Sequence, residues 1–269
     1  AEFPIRFDLL DTMGGGNLSL QVHPLTEYIQ DTFGMHYTQD ESYYILDADE
    51  QESCVYLGVK KHVDQEAMAE DLRRAEKGEI AFPAERYVNK VPVKKHDHVL
   101  IPAGTIHCSG KNTMVLEISA TPYIFTFKLW DWGRVGLDGV PRPIHVEHGL
   151  KNIDWNRDTD WIYDNLIHQE QTIRKEEGIL IERTGLHNRE FIDTIRYTLT
   201  KPAEVWMDDS VHVMNLVDGR SAFIESTDGS FEPFAIHYAE TVIVPAKAGR
   251  YRIVPAEGEI KLIAAMVRR

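Results

Sequence analysis

The sequence is poor in cysteine. Among 269 residues there are two, Cys54 and Cys108. Two thiols do not make a disulfide scaffold, and such sparing use fits a reducing compartment. No run approaches the roughly 20 consecutive apolar residues that span a bilayer, and no basic-then-apolar leader opens the chain. Basic side chains are in the minority, 29 against 43 acidic, for a formal charge of −14. A nucleic-acid or acidic-membrane partner calls for a basic patch, so neither is expected. These absences together predict a cytoplasmic protein. The chain starts directly on the strand-like "AEFPIRFDLL", so an upstream segment or domain is expected.

What is present is enough for a core. Hydrophobic residues make up 43% of the chain, which excludes a disordered segment. Short strand-like runs dominate the first half: "IRFDLL", "SYYILD", "CVYLGV", "HVLIPAG", "TMVLEIS" and "IFTFKLW". One helix interrupts them, "DQEAMAEDLRRAEKG" at 64–78, with early acids, late bases and Gly78 as its stop. A polar stretch follows Trp132. After it, "HVEHGLKNIDWNRDTDWIYDNL" reads as part helix and part connector. Strands resume near 177 with "GILIERT", "FIDTIRYTLT", "VHVMNLVDGRSAFIE", "ETVIVPAKAGRYRIV" and "IKLIAAMVR". Many short strands at near-regular spacing predict sandwiches or jelly rolls. The halves also echo each other. "HDHVLIPAGTIHCSG" and "YAETVIVPAKAGRYRIV" share a strand, Pro-Ala, a Gly turn and a strand, with Tyr251 roughly where His107 stands. The expected architecture is a mainly all-β tandem of two jelly-roll barrels. The metal-binding domain would cover 1–149, and a connector with a degenerate second barrel would cover 150–269.

The stretch "LSLQVHP" at 18–24 carries the first chemical hint. Leu18, Leu20 and Val22 alternate with Ser19, Gln21 and His23. Gln21 and His23 therefore share one face of a strand. Glu41 begins "ESYYILD", and His107 follows the turn "PAGT". Imidazole and carboxylate suit zinc and similar divalent ions, with an amide oxygen as a further ligand. Singly, each residue reads more readily as a solvated or hydrogen-bonded side chain than as a ligand. His36, His62, His96, His98, His168 and His187 are assigned to the surface or to local hydrogen bonds. His145 and His148 have a spacing that suits a metal pair on a helix, or a helix start or turn after Pro143. Cys108 alternates to the face opposite His107, as a core thiol. "MGGGN" at 13–17 lacks the Lys-Ser/Thr and following helix of a phosphate loop, and reads as a turn.

Taken together, "LSLQVHP", "ESYYIL", "VPVKKHDHVLIPAGTIHCSG" and "KLWDWGR…GVPRPIHVEHGL" resemble the type I mannose-6-phosphate isomerases of the cupin superfamily, in their short bacterial form. The resemblance covers nearly all of the first half in order and spacing. It implies one zinc ion, or another divalent metal, on Gln21, His23, Glu41 and His107. It implies a metal-dependent aldose–ketose isomerase that passes through a cis-enediol on a sugar or sugar phosphate. Lys128 falls where the family has an active-site Arg, and Arg134 matches a second common Arg. Ser19 matches a serine near the phosphate. The chain departs from the family at two basic positions, where Asp8 and Gln39 stand in place of lysines. Glu117 is a candidate base, with an outward solvated carboxylate as the equal alternative. The departures keep two other readings open: a metal-binding sugar sensor or inactive relative, and an iron-dependent cupin oxidoreductase.

Overall fold

The computed structural model describes residues 3–49, 51–185 and 190–268. His187 lies outside them. The chain divides into two compact units, residues 1–168 and 169–269.

In the first unit the strands are Arg6–Asp11 (β1), Leu20–Val22 (β2), Glu41–Ala48 (β3), Cys54–Val59 (β4), Val88–Pro92 (β5), His98–Ile101 (β6), His107–Ser109 (β7), Thr113–Ser119 (β8) and Phe127–Trp130 (β9). The helices are Thr26–Phe33 (α1), Gln65–Glu76 (α2), Ala84–Tyr87 (α3), Val146–Leu150 (α4) and Thr159–Asn165 (α5). Two sheets form, ordered β1-β8-β3-β6 and β5-β4-β7-β2-β9, and every pairing is antiparallel. Within the second sheet, β4 is apolar on both faces. Val55 and Leu57 of β4 pack with Tyr43, Ile45, Val99 and Val115 of the facing sheet, whereas Cys54 and Tyr56 pack with Leu20, Val22 and Cys108 on the other side. This is why "CVYLGV" reads as an unbroken apolar run.

Helix α2 covers that outer face. Asp64 caps its N-terminus by accepting from the Ala67 N–H, at 3.0 Å. Met68, Leu72 and Ala75 give it one buried stripe at helical spacing. Gly58 sits at a bulge in β4 with φ +60°, and an added Cβ would lie 2.5 Å from the Arg157 carbonyl oxygen. Only glycine permits that approach of the α5 region to the sheet.

In the second unit the strands are Gln171–Glu176 (β10), Ile179–Gly185 (β11), Ile192–Leu199 (β12), Ala203–Trp206 (β13), His212–Asp218 (β14), Ser221–Ser226 (β15), Phe234–His237 (β16), Thr241–Val244 (β17), Arg250–Pro255 (β18) and Ile260–Val267 (β19). Its sheets are ordered β10-β11-β12-β19-β14-β17 and β13-β18-β15-β16. The order β12-β19-β14-β17 repeats β1-β8-β3-β6, and β13-β18-β15-β16 repeats β2-β7-β4-β5. The repeat glimpsed in the two Pro-Ala stretches thus extends to the full strand order. The units differ at the margins, in β9 of the first and in β10 and β11 of the second.

At the start of β14, His212 is 2% exposed, and burial pushes its pKa down to about 4 against a pull upward from Asp208. In the unfolded chain this imidazole titrates near 6.5. Between those values the unfolded chain binds a proton that the folded chain refuses. The stabilisation is therefore complete above the unfolded value and is lost as pH falls toward the folded one, by up to about 3 kcal/mol. Between pH 7 and pH 4.5, denaturant unfolding should show the unsubstituted protein losing about 2 kcal/mol more stability than His212→Phe. Parallel pH profiles for the two proteins would refute this.

Candidate functional site

The two sheets of the first unit meet over a polar interior. On β2, Leu20 and Val22 turn outward under the helices, which leaves Gln21 facing inward opposite His107 in register. Glu41, at the head of β3, belongs to the facing sheet. His23, Glu41 and His107 are buried, with exposures of 1%, 0% and 0%. Their ligand atoms all lie within 4.8 Å of one another. His23 Nε2 is 3.2 Å from Glu41 Oε2, and His107 Nε2 is 3.0 Å from Glu41 Oε1. The Gln21 amide end is 3.3 Å from His107 Nε2.

These separations match those between neighbouring ligands of a tetrahedral ion, about 3.3 Å for bonds near 2.0–2.1 Å. The buried His23 Nε2 and Glu41 Oε1 make no properly directed hydrogen bond. Both Nδ1 atoms are committed, His23 donating to Phe125 O and His107 to Thr105 O, each at 2.9 Å. The lone pairs on Nε2 are thereby aimed at the centre, as outer contacts do for a metal-bound histidine. The donor set fits a divalent ion. Among the described residues this is the one such cluster. His148 is engaged elsewhere, by the Tyr28 hydroxyl at 2.7 Å.

Charge in the site is finely divided. Burial drives the Glu41 carboxyl up, but His23 and His107 override it and hold the group well below the usual carboxylate range. For His23, burial lowers the pKa and Glu41 reverses the sign, leaving it raised. Glu117 behaves oppositely. Burial, and next the Glu41 charge, push its carboxyl up to about 8, despite Ser119 and Arg6.

Arg6 was not anticipated from the sequence. Its Nη2 donates to Glu117 Oε1 at 2.7 Å and to Ser119 Oγ at 3.1 Å, and its Nη1 lies 3.6 Å from Asp8. Strand alternation carried the signal, because Arg6 and Asp8 share a face of β1. Asp8 and Glu117 stand opposite each other in register. Two facing carboxylates repel, and Arg6 lies beside both.

A cavity of about 210 Å³ opens over this centre, lined by Asp8, Leu10, Leu18, Ser19, Gln21, His23, Gln39, Tyr43, Glu117 and Ile124. Glu41 and His107 lie behind it. The Gln39 amide donates to Glu41 Oε2 at 2.6 Å and to Glu117 Oε1 at 3.2 Å, so it ties the two carboxyls together. Glu117 is 6% exposed and faces the site rather than solvent. The Ser19 hydroxyl donates to Asp131 at 2.7 Å. Lys128 and Arg134 do not line the cavity. Arg134 pairs with Asp131 at 2.7 Å and donates to the Asn17 carbonyl at 2.8 Å, which anchors the 13–17 turn. Lys128, on the edge strand β9, lies near His145, whose pKa is lowered by burial and then by this lysine. Cys108 is fully buried in the outer cluster, and burial drives its thiol pKa up.

No family model matches the chain. Individual relatives do. A mannose-6-phosphate isomerase of Streptococcus mutans is 30% identical over 148 residues, covering 55% of this chain and 43% of that protein. The mannose-6-phosphate isomerase ManA of Bacillus subtilis is 27% identical over 152 residues, covering 56% and 44%. The chain thus matches less than half the length of these curated relatives. The crystal structure of a Bacillus subtilis mannose 6-phosphate isomerase superposes with a TM-score of 0.76 at 21% identity, over 98% of this chain and 75% of that one. In sequence the chain is similar to part of these mannose-6-phosphate isomerases, and its fold is that of the Bacillus subtilis enzyme. The sequence match spans about the length of the first unit, and the shared fold extends through both.

The turn that delivers His107 depends on a buried cation. Arg157 is 2% exposed, and its Nη1 donates to the carbonyls of Pro102 and Ala103, each at 2.7 Å. Gly104, at φ +91°, completes the turn. Arg157→Met leaves these acceptors unpaired and should cost about 3 kcal/mol in urea unfolding. A change below about 0.5 kcal/mol, the range of an ordinary surface substitution, would sink this account of the turn.

Proposed function

We propose that the first unit is a metal-dependent aldose–ketose isomerase. The observation that carries this reading is the His23–Glu41–His107 cluster beneath a cavity whose wall holds Glu117. Isomerisation moves a proton between C1 and C2 through a cis-enediol. It needs a group that accepts and returns a proton near neutrality. Glu117, with its carboxyl near pH 8, is the candidate for that group. Gln39 and Arg6 would hold its Oε1 in place.

Gln21, His23, Glu41 and His107 would hold one ion, and two imidazoles with a carboxylate and an amide favour zinc. The ion would act as a Lewis acid toward the sugar oxygens and the negative charge that develops on them. Ser19 would orient the sugar through its hydroxyl. Arg134 would act indirectly, by holding Asp131 against Ser19. Lys128 lies outside the cavity, so a direct catalytic role for it needs a side-chain movement toward the sugar.

The cavity wall carries two carboxyls, Asp8 and Glu117, with Arg6 beside them. A phosphate dianion near Asp8 is repelled by about 1 kcal/mol at a few ångströms, even with strong screening. The substrate is therefore a small sugar with little charge at the Asp8 end.

Two measurements test this. Elemental analysis should find about one ion per chain, and His107→Ala or Glu41→Ala should strip it, since each removes a ligand from the centre. Full occupancy in both variants would rule out the ligand set. On zinc-loaded protein, kcat/KM for mannose or fructose should exceed that for mannose 6-phosphate. Efficient turnover of the phosphate ester, unchanged by Asp8→Lys with Gln39→Lys, would overturn the substrate reading. Saturable sugar binding without turnover would identify a metal-binding sensor instead.

A further inference from the structure

The second barrel repeats the first without its ligand set. Gln21 stands opposite His107, and Val205 stands opposite Tyr251. Glu41 is flanked by Ser119 and Ile101, and His212 by Met266 and Val244. Glu117 faces Asp8 and Tyr43, and Ala264 faces Ile195 and Met214. Met207, two residues after Val205, takes the place of His23. A cavity of about 700 Å³ lies here, within the size range of small-molecule sites. One strand has different surroundings in the two units. β2 has β9 along its second edge, whereas no strand among the described residues pairs with the second edge of β13. Four successive residues, Glu204, Val205, Trp206 and Met207, line the cavity. Side chains alternate across a strand, so the cavity reaches the open edge of β13 as well as its inner face.

We propose that this cavity binds a neutral disaccharide of pyranose rings with equatorial hydroxyls. It shares no residue with the metal cluster of the first unit. Trp206 supplies the platform. The Arg250 guanidinium lies over one face of its ring, 4.7 Å from the centroid, yet the residue is 62% exposed. The second face is therefore open, and the guanidinium steadies the ring from behind. A pyranose with equatorial hydroxyls turns its C–H bonds to a flat face, which packs on such a ring. The polar surroundings are balanced in charge. Arg183 pairs with Asp193 at 2.8 Å, and Arg268 adds its charge beside the same carboxylate. Arg250 lies 3.8 Å from Glu204, and Asp208 lies near His212. Three guanidinium groups thus meet three carboxylates, and no net charge selects an ion of either sign. A ligand that enters must replace the water these groups hold or leave them unpaired at a cost. Sugar hydroxyls replace it from many ring positions, because each both donates and accepts. The same versatility suits His212, which lines the cavity and whose Nε2 has no partner among the described residues. Its Nδ1 and the Tyr251 hydroxyl share a hydrogen bond at 2.9 Å. If the hydroxyl donates, Nε2 carries the imidazole proton; if Nδ1 donates, Nε2 carries a lone pair. A sugar hydroxyl meets either. The volume, against about 210 Å³ in the first unit, suits two rings rather than one.

Calorimetric titration of the full chain with cellobiose, whose hydroxyls are all equatorial, tests the proposal. Binding should saturate at one site per chain with a dissociation constant of about 1 mM or below. Trp206→Ala should weaken it about tenfold through lost ring contact, and Trp206→Phe should keep it within about threefold of the unsubstituted protein. Trp206 is exposed, so neither substitution removes a core side chain. Sorbitol, which has the hydroxyls but no ring face, should bind at least about tenfold more weakly than cellobiose. No saturation by cellobiose, unchanged affinity in Trp206→Ala, equal binding of sorbitol, or tighter binding of glucose 6-phosphate than of cellobiose would each overturn it.

Discussion

The first barrel is organised by one electrostatic problem, the carboxylate of Glu41 at 0% exposure. Removing an ionised carboxylate from water costs several kcal/mol unless charge and hydrogen bonds are supplied on the spot. Two imidazoles approach it, but each has committed its Nδ1 proton to a backbone carbonyl. Neutral imidazoles so arranged bring lone pairs toward an anion, which is repulsive. The arrangement is stable only with positive charge at its centre, either a proton on an imidazole or a metal ion. The raised pKa of His23 expresses the first option, its burial overridden by Glu41. The donor geometry suits the second. Around this centre the contacts close into a ring. Gln39 donates to Glu41, the Phe125 N–H donates to Gln39, His23 donates to the Phe125 carbonyl, and His23 returns to Glu41. Altering any member displaces the others.

The second barrel shows the same strand order without that problem. Where Gln21, His23, Glu41 and Glu117 stand in the first, it has Val205, Met207, His212 and Ala264. With no carboxylate at the centre, no compensating charge is required there. The backbone pairings persist, so the fold does not depend on the site and the site is a graft upon it. The hollow in the second barrel is the larger, about 700 Å³ against about 210 Å³.

Much of this was legible in the sequence because period and local chemistry carried it. The runs "CVYLGV" and "TMVLEIS" coincide with β4 and β8, and the acid-first, base-last pattern marked α2. Helix α1 was not anticipated. "TEYIQDTF" is short and has one buried residue, Ile29, to betray its face. Strands β5, β13 and β16, of four or five residues, are fixed by their partners rather than by their own period. The candidate metal cluster joins residues 86 apart in sequence, Gln21 and His107. Spacing alone does not connect them; residue type and strand faces singled them out, and the family resemblance made them a ligand set. The orientation of Glu117 was undecidable for a related reason. Leu116 and Ile118 are buried on one face of β8, and Glu117 and Ser119 on the other, so alternation gave no solvent side. Arg6 lies two residues from Asp8 on the same face of β1, and only the paired strand β8 shows that it meets Glu117.

The placement of charge separates two tasks that a sugar-phosphate isomerase combines. In the proposed reaction, proton movement between C1 and C2 needs the metal centre and a titratable group such as Glu117, whereas holding a phosphate needs cations. Asp8 and Gln39 both border Glu117, Asp8 opposite it in register and Gln39 donating to it at 3.2 Å, and neither supplies a cation. Groups that grip a phosphate act alike on bound substrate and on the transition state. Their loss therefore weakens substrate binding without raising the chemical barrier in proportion. In the proposed reaction, a chain can shed its phosphate contacts and keep its chemistry, provided the sugar end is still held. Of the two positions, Asp8 lies outside the ring of contacts around Glu41, whereas Gln39 is a member of it, so a change at 39 bears on the centre as well as on the charge the substrate meets.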